Sequence, residues 1–480
     1  MNQRPTFIEA GRRAVLSTPF AFALAVMFGA GAMVESWLPA ALLVGVIVAY
    51  ASVSRPTIPI ALAFLGILLD SRGMTSLRIF GLPLTLSKTM VLFAVGSHLL
   101  NALVSRKRLF SVTPMTTGFF AIICTMVMSL ITAIMPSWGY MDTIGVLMLA
   151  LMVHLIYEAI PDEDIPWLLR LMSAMTVGVL LWTLATQRKE GFYVTLDHAW
   201  QQRTSGAYDD PNAWSTALLV VCPMLIGALA RDKHWSATFL LLGVLFTFPA
   251  AILQSMSRAG LLAMVVISPG IVYLLRDRRW LLATAGVGLL AAAPLFINLD
   301  ALSLRYSTLL NPTLEADLGH GSLSERRALL EAGVKIFLEN PVLGVGTGLF
   351  RIHASYVSAG QVWKIAHNSY INVAAEQGIP GILSHLFLGY QLYVAAWNAA
   401  NRSRTPYTLS LGQGFLLSIL AFSAMAFTLN LVTFAIAYFM LGLGLRVARA
   451  GGAEQVWVRD GSDPVATPER RPRPKLVEAK

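Results

Sequence analysis

Apolar runs long enough to cross a bilayer recur along this chain, and no other feature restricts its fold so strongly. A helix needs about 20 apolar residues to traverse a hydrocarbon core, and stretches of that kind return from residue 14 to residue 447. In lipid every backbone polar group must be satisfied internally, so only helices or a closed barrel are available. Sustained period-two alternation is absent. The chain is therefore read as an all-α polytopic membrane protein with about 12–14 transmembrane helices. Charged residues make up 13% of its 480 residues, about half the share of a soluble domain.

The pattern predicts spans at 14–34, 37–54, 57–70, 84–104, 115–135, 140–160, 165–186, 212–230, 235–254, 258–275, 280–298, 379–399, 408–427 and 430–447. The third is short, and the count falls to twelve or thirteen if it is re-entrant. Alternate loops collect Arg12 and Arg13, Arg106-Lys107-Arg108, Arg231 and Lys233, Arg276 with Arg278 and Arg279, and Arg402 with Arg404. The positive-inside rule assigns that set to the cytoplasm, with both termini. Five regions follow: helices over 1–186, helices with outward arginine-bearing loops over 187–298, a large outward loop over 299–378, C-terminal helices over 379–448, and a Pro- and Arg-rich tail over 449–480 expected to be disordered.

The net charge of +10 reflects this cytoplasmic bias, and nucleic acid is not expected as a partner. Cys124 and Cys222 both fall in apolar segments, which argues against a disulfide framework or thiol metal site. Gly11-Arg12-Arg13 resembles a twin-arginine signal only superficially and reads as the basic flank of an uncleaved first helix.

The chemistry-bearing residues all face outward. Asp209-Asp210-Pro211-Asn212 opens one span with an Asp cap, Ser257-Arg258 opens another, and Asn368 can cap a short helix over 369–377 that ends at Gly378 and Pro380. Helix starts present unpaired N–H groups and a positive dipole end, so three together can cradle a phosphate or pyrophosphate; singly, each is an ordinary cap. Arg258 at the membrane edge and Arg203 in the preceding outward loop are candidate anion ligands, since a guanidinium offers two parallel donors. The bland alternatives are a snorkelling side chain and a solvated loop charge.

Within the long loop, Ser322-Leu-Ser-Glu325 is a capping box that starts a helix running to Asn340-Pro341. Arg326 and Arg327 lie near its positive end, where an anion would compensate them or a surface salt bridge would occupy them. Gly344, Gly346 and Gly348 follow no strand, so they read as a flexible turn beside the membrane and not as a nucleotide fingerprint. His367 is the candidate general base, in a polar loop just before a helix start, with Glu376 available to orient it. No cluster has metal-ligand spacing, and neither metal nor other cofactor is expected.

Ser257-Arg-Ala-Gly260, Pro341-Val-Leu-Gly-Val-Gly-Thr-Gly-Leu-Phe350, His367-Asn-Ser-Tyr370 and Glu376-Gln-Gly-Ile-Pro-Gly-Ile382, in this order around a large outward loop, resemble the O-antigen ligase and polysaccharide polymerase family. The resemblance is clearest over 203–385. It implies a glycosyltransferase of the bacterial inner membrane, acting at the periplasmic face on a glycan carried by undecaprenyl pyrophosphate; the residues themselves are compatible with direct, inverting attack, metal-independent if the arginines neutralise the leaving group. Membrane lipid and a glycan acceptor are the further partners it implies, with other polysaccharide-export proteins as additional candidates. Arg258 and His367 match the family motifs that carry catalysis; Arg203 matches only through its place before Asp210-Pro-Asn212. Asp210, Asn212, Arg326, Arg327, Asn368 and Glu376 are the expected substrate-binding residues.

The expected activity is polymerisation of lipid-linked repeat units into exopolysaccharide or O-antigen. The alternative within the family is a ligase that moves glycan to lipid A core or to protein. A flippase or transporter would place its functional polar residues at mid-span, whereas this chain gathers them outside.

Overall fold

The computed structural model describes residues 57–69, 77–79, 82–84, 86–105, 114–186, 194–196, 199–201, 205–206, 208, 210–296, 302–303, 307, 322–358 and 364–452. The first two predicted spans, Arg203 and the C-terminal tail beyond residue 452 lie outside them, while Arg449 and Ala450, expected to open the tail, close the last helix. The described chain is overwhelmingly helical, with two three-residue antiparallel hairpins, Leu77–Ile79 with Leu82–Leu84 and Val194–Leu196 with Ala199–Gln201. The α-helices are α1 (Thr57–Leu68), α2 (Leu86–Ser105), α3 (Pro114–Ser129), α4 (Pro136–Ala159), α5 (Ile165–Thr186), α6 (Pro211–Ala230) and α7 (Trp235–Ser255). They continue as α8 (Arg258–Leu274), α9 (Arg279–Phe296), α10 (Ser322–Glu339), α11 (Phe350–Val357), α12 (Ser369–Arg402), α13 (Pro406–Ala426) and α14 (Ala435–Ala450).

This is an all-α polytopic membrane protein. Six helical stretches among the described residues are long and apolar enough to cross a bilayer, and α1, Met90–Leu99 and Met115–Ser129 are shorter apolar helices. The predicted spans at 258–275 and 280–298 meet at 75°, forming a broken span or re-entrant loop that brings the number to seven if counted as one. Polar Arg276-Asp277-Arg278 occupies the bend, where Asp277 pairs with Arg231.

The centre of the bundle is α6. Nearly every residue from Pro211 to Ala230 is buried, which explains its unbroken apolar sequence: it has no face left for lipid or water. Its closest neighbour is α13. A Cβ on Gly227 would sit 2.6 Å from the Ser410 carbonyl, and one on Gly414 would sit 2.5 Å from that of Pro223. Small residues on both helices thus allow backbone contact, the packing that holds helices together where lipid supplies no hydrophobic drive. The Ser410 hydroxyl adds a 2.7 Å bond to the Gly227 carbonyl.

As predicted, the short helix and the following span over 369–399 are separated at Gly378. They form one element, α12, broken where Gly378 takes φ +64° and ψ −158°. A side chain there would lie 2.6 Å from the Val342 carbonyl, so the break and the glycine loop before it are built against each other.

Candidate functional site

The starts of α6 and α8 are tied directly. Asp210 caps α6, its Oδ1 accepting from the Asn212 backbone N–H at 2.9 Å and the Asn212 amide at 3.1 Å. Ser257 caps α8 by accepting from Gly260 N–H at 3.1 Å, and it donates its own proton to Asn212 Oδ1 at 2.8 Å. One turn further in, the Ser215 and Ser255 hydroxyls share a 2.8 Å hydrogen bond. The chain enters α8 through buried Met256, held at φ +51°, a left-handed turn so tight that Arg258 becomes the first residue of the new helix. Two positive helix ends and Arg258 therefore sit together.

Upstream, Tyr208 anchors this corner. Its ring lies 5.8 Å from Trp214 and 5.9 Å from Phe434, and its hydroxyl donates to the Ile67 carbonyl at 3.1 Å. Gly206 lies flat on the Trp214 indole, leaving no space for a side chain.

His367 joins the same corner. Burial holds its imidazole below the usual pKa of 6.5, aided by the Arg326 guanidinium and Lys364, while Asp210 and Glu325 pull the other way. Asp210 thus belongs both to the α6 cap and to the electrostatic surroundings of His367. Lys364 is itself paired with Glu325 at 2.7 Å. A half-buried imidazole kept neutral near pH 7 is suited to accept a proton.

Not every predicted residue converges here. Arg327 is exposed and paired with Glu331 at 2.8 Å, one turn along α10, which is the surface salt bridge of the bland reading. Asn368 is occupied as the α12 cap, its Oδ1 accepting from Tyr370 and Ile371 N–H groups. Glu376 does not orient His367. It is 5% exposed, accepts from Phe350 N–H at 3.0 Å, and so fixes the start of α11.

The glycine loop is likewise not a flexible turn. Val345 and Gly346 N–H groups donate to the Ala375 and Glu376 carbonyls at 3.0 Å, and the Ser129 and Thr347 hydroxyls meet at 2.9 Å. Gly344 takes φ +69°, with its α-carbon so close to the Glu376 backbone that any Cβ would collide with it. The loop is a wedge between α12 and the α3–α4 turn.

Two cavities flank the start of α12. One is an apolar cleft of about 490 Å³ lined by Tyr370, Val373, Ile382, His385, Phe415 and Tyr438 among others. The second, about 50 Å³, is polar and is bordered by Asp142, Thr347, Arg351, Asn372, Glu376 and Gln377. Sequence reading missed Ser257 as the link between helix starts, and Asn372, Asp142 and Arg351 as pocket residues. The available signal was Asn372 four residues before Glu376, which puts both on one face of a helix.

Fold and site define a multi-pass α-helical membrane protein in which the starts of α6 and α8 are joined and His367, just before α12, lies within electrostatic reach of Asp210. Residues 241–386 match the family model described as O-antigen ligase. This stretch, from α7 through the long loop into α12, is similar to that family and contains the four motifs that carry the resemblance, while Arg203 lies before it. No match to the chain is found among curated proteins.

Proposed function

We propose that the protein polymerises undecaprenyl-pyrophosphate-linked repeat units into a surface polysaccharide at the periplasmic face of the bacterial inner membrane. The observation that carries this reading is the junction of Asp210, Asn212 and Ser257 beside Arg258, with His367 under the influence of Asp210. It supplies an anion cradle and a base in one corner.

Arg258, Arg203 and the starts of α6 and α8 hold the donor pyrophosphate, with Arg326 adding positive charge near His367. An acceptor hydroxyl attacks the anomeric carbon from the face opposite the pyrophosphate. The new C–O bond forms as the anomeric C–O bond to pyrophosphate breaks, and its electron pair leaves on the phosphate oxygen. The hydroxyl proton passes to an unprotonated ring nitrogen of His367, and the configuration inverts. Arginines and helix ends neutralise the leaving group, so the step requires no metal. The apolar cleft, which reaches α12 at Tyr370, three residues from His367, suits the isoprenoid tail of the carrier.

A ligase is the second reading, favoured by the family description itself. Separate Arg258→Ala and His367→Ala replacements are expected to abolish long-chain glycan at unchanged protein level; normal glycan from either sinks the mechanism. A deletion strain separates the readings. Loss of polymer with single capped repeat units indicates a polymerase, and long polymer accumulating on the lipid carrier indicates a ligase.

A further inference from the structure

The polar pocket beside α12 has no part in the mechanism above, yet it is built with care. Asn372, Gln377, Thr347 and Glu376 are between 2% and 5% exposed. Asn372 gives its amide to the Glu376 carboxylate. Its own Oδ1 is enclosed without a hydrogen-bond partner, in a side chain that lines the pocket. An enclosed carbonyl oxygen without a donor is an acceptor that a ligand O–H or N–H would satisfy.

The pocket also has a mouth of the right character. Asp142 and Arg351 stand at its edge, and the Arg351 guanidinium lies 5.7 Å from the ring centre of Trp138, which is 42% exposed. A carboxylate, a guanidinium and an open indole together offer an acceptor, donors and an apolar platform. A cavity of about 50 Å³ has room for a few waters or for the hydroxyl edge of a ring, with the ring itself left at the rim.

Position supplies the remaining argument. Ile365 lines the pocket two residues before His367, and Asn372 lies one turn into the helix that His367 precedes. On an adjoining side of that helix, Tyr370 and Val373 line the apolar cleft, and Val432 borders both cavities. The His367 segment thus runs between the polar pocket and the Asp210 corner.

We infer that this pocket is a carbohydrate subsite that takes the hydroxyls of the acceptor sugar and presents its nucleophilic oxygen toward His367. The inference rests on the glycosyltransferase reading above and goes beyond it by assigning the acceptor side. A metal cation is the lesser fit. Arg351 shares the site, and among the described residues no group of three or more His, Cys, Asp or Glu side chains converges.

The test uses the full-length protein in lipid nanodiscs and two probes measured by calorimetry. One is the free repeat-unit oligosaccharide released from the host strain's carrier, and the other is farnesyl pyrophosphate. Asn372→Leu is expected to weaken oligosaccharide binding at least tenfold while farnesyl pyrophosphate binds within twofold of wild type; Arg258→Ala is expected to do the reverse. Asp142→Asn, isosteric and at the rim, is expected to weaken oligosaccharide about threefold and guards against a folding defect in the first variant. Wild-type oligosaccharide affinity in both pocket variants overturns the subsite and leaves the glycosyltransferase reading intact. Failure of wild-type protein to bind either probe overturns that reading as well. Calcium binding that Asp142→Asn abolishes, with oligosaccharide affinity unmoved, overturns the subsite in favour of a cation.

Discussion

Ser257 provides the sharpest test of whether the joined helix starts serve chemistry or only hold the bundle together. Its hydroxyl is fully buried and does two things: it caps α8 through Gly260 N–H and it donates to Asn212 Oδ1 at the start of α6. Ser257→Ala removes both. Loss of an N-cap costs about 1 kcal/mol and loss of a hydrogen bond inside a membrane protein about 0.6, so the sum is roughly 1–2 kcal/mol. Ser410→Ala is the matched control. It removes one buried 2.7 Å bond, to the Gly227 carbonyl, at the far end of α6 from Asp210.

Both replacements are expected to lower thermal stability in detergent modestly, Ser257→Ala about two to three times as much as Ser410→Ala. Their effects on glycan output should diverge. Arg258, the proposed anion ligand, follows Ser257 directly, and a shift of about 1 Å in such a group can cost a hundredfold in rate. Glycan ladders normalised to folded protein should therefore fall at least tenfold for Ser257→Ala and stay within twofold of wild type for Ser410→Ala. Equal losses in the two variants would refute the argument, because they would make the α6–α8 junction one buried contact among many.

His367 predicts an acid limb in the rate profile. Burial first and Arg326 second hold its pKa below 6.5, so the imidazole, the proposed base, is neutral at pH 7 and takes up a proton only as pH falls below 6.5. Arg326→Gln removes a cation that opposes protonation, and the limb should move to higher pH; an unmoved limb separates the two residues. The same depression makes the fold less stable as pH drops from 6.5 toward the folded value, since the unfolded chain takes up the proton first. Gly344→Ala demands a left-handed alanine and drives a Cβ into the Glu376 backbone, so a loss of about 2–4 kcal/mol is expected, read as reduced protein level and a lowered melting temperature. Arg327→Ala should leave glycan output within twofold of wild type, because that side chain is spent on an exposed pair with Glu331.

How much of this was legible beforehand follows the range of the interactions involved. Caps and breaks are local, and the sequence announces them: Asp210 before Pro211, Ser257 before Arg258, Asn368 before α12, and the interruption at Gly378 all stand where their residue types require. Mean hydropathy also marks membrane helices well, because lipid imposes one rule on every span. It cannot distinguish a helix that doubles back from one that bends, so 258–275 and 280–298 looked like two crossings and meet instead at 75°.

Contacts between distant segments were hidden. Three glycines in a row of alternating positions look like slack, because flexibility and close approach call for the same residue. Only the meeting of Gly344 with Glu376 and of Gly378 with Val342 decides for close approach. Glu376 was misassigned for the same reason. Nine residues from His367, it was a natural candidate to orient the imidazole, yet helical geometry turns it with Asn372 toward the polar pocket and the start of α11. The short α12 segment thus has two unlike sides: Tyr370 and Val373 meet the apolar cleft, Asn372 and Glu376 meet the polar pocket, and His367 precedes the helix within electrostatic reach of Asp210. In the reaction proposed, a tail, a leaving group and an acceptor need separate surroundings around one reacting bond; the start of α12 offers the first and the last, and the α6–α8 junction offers the second.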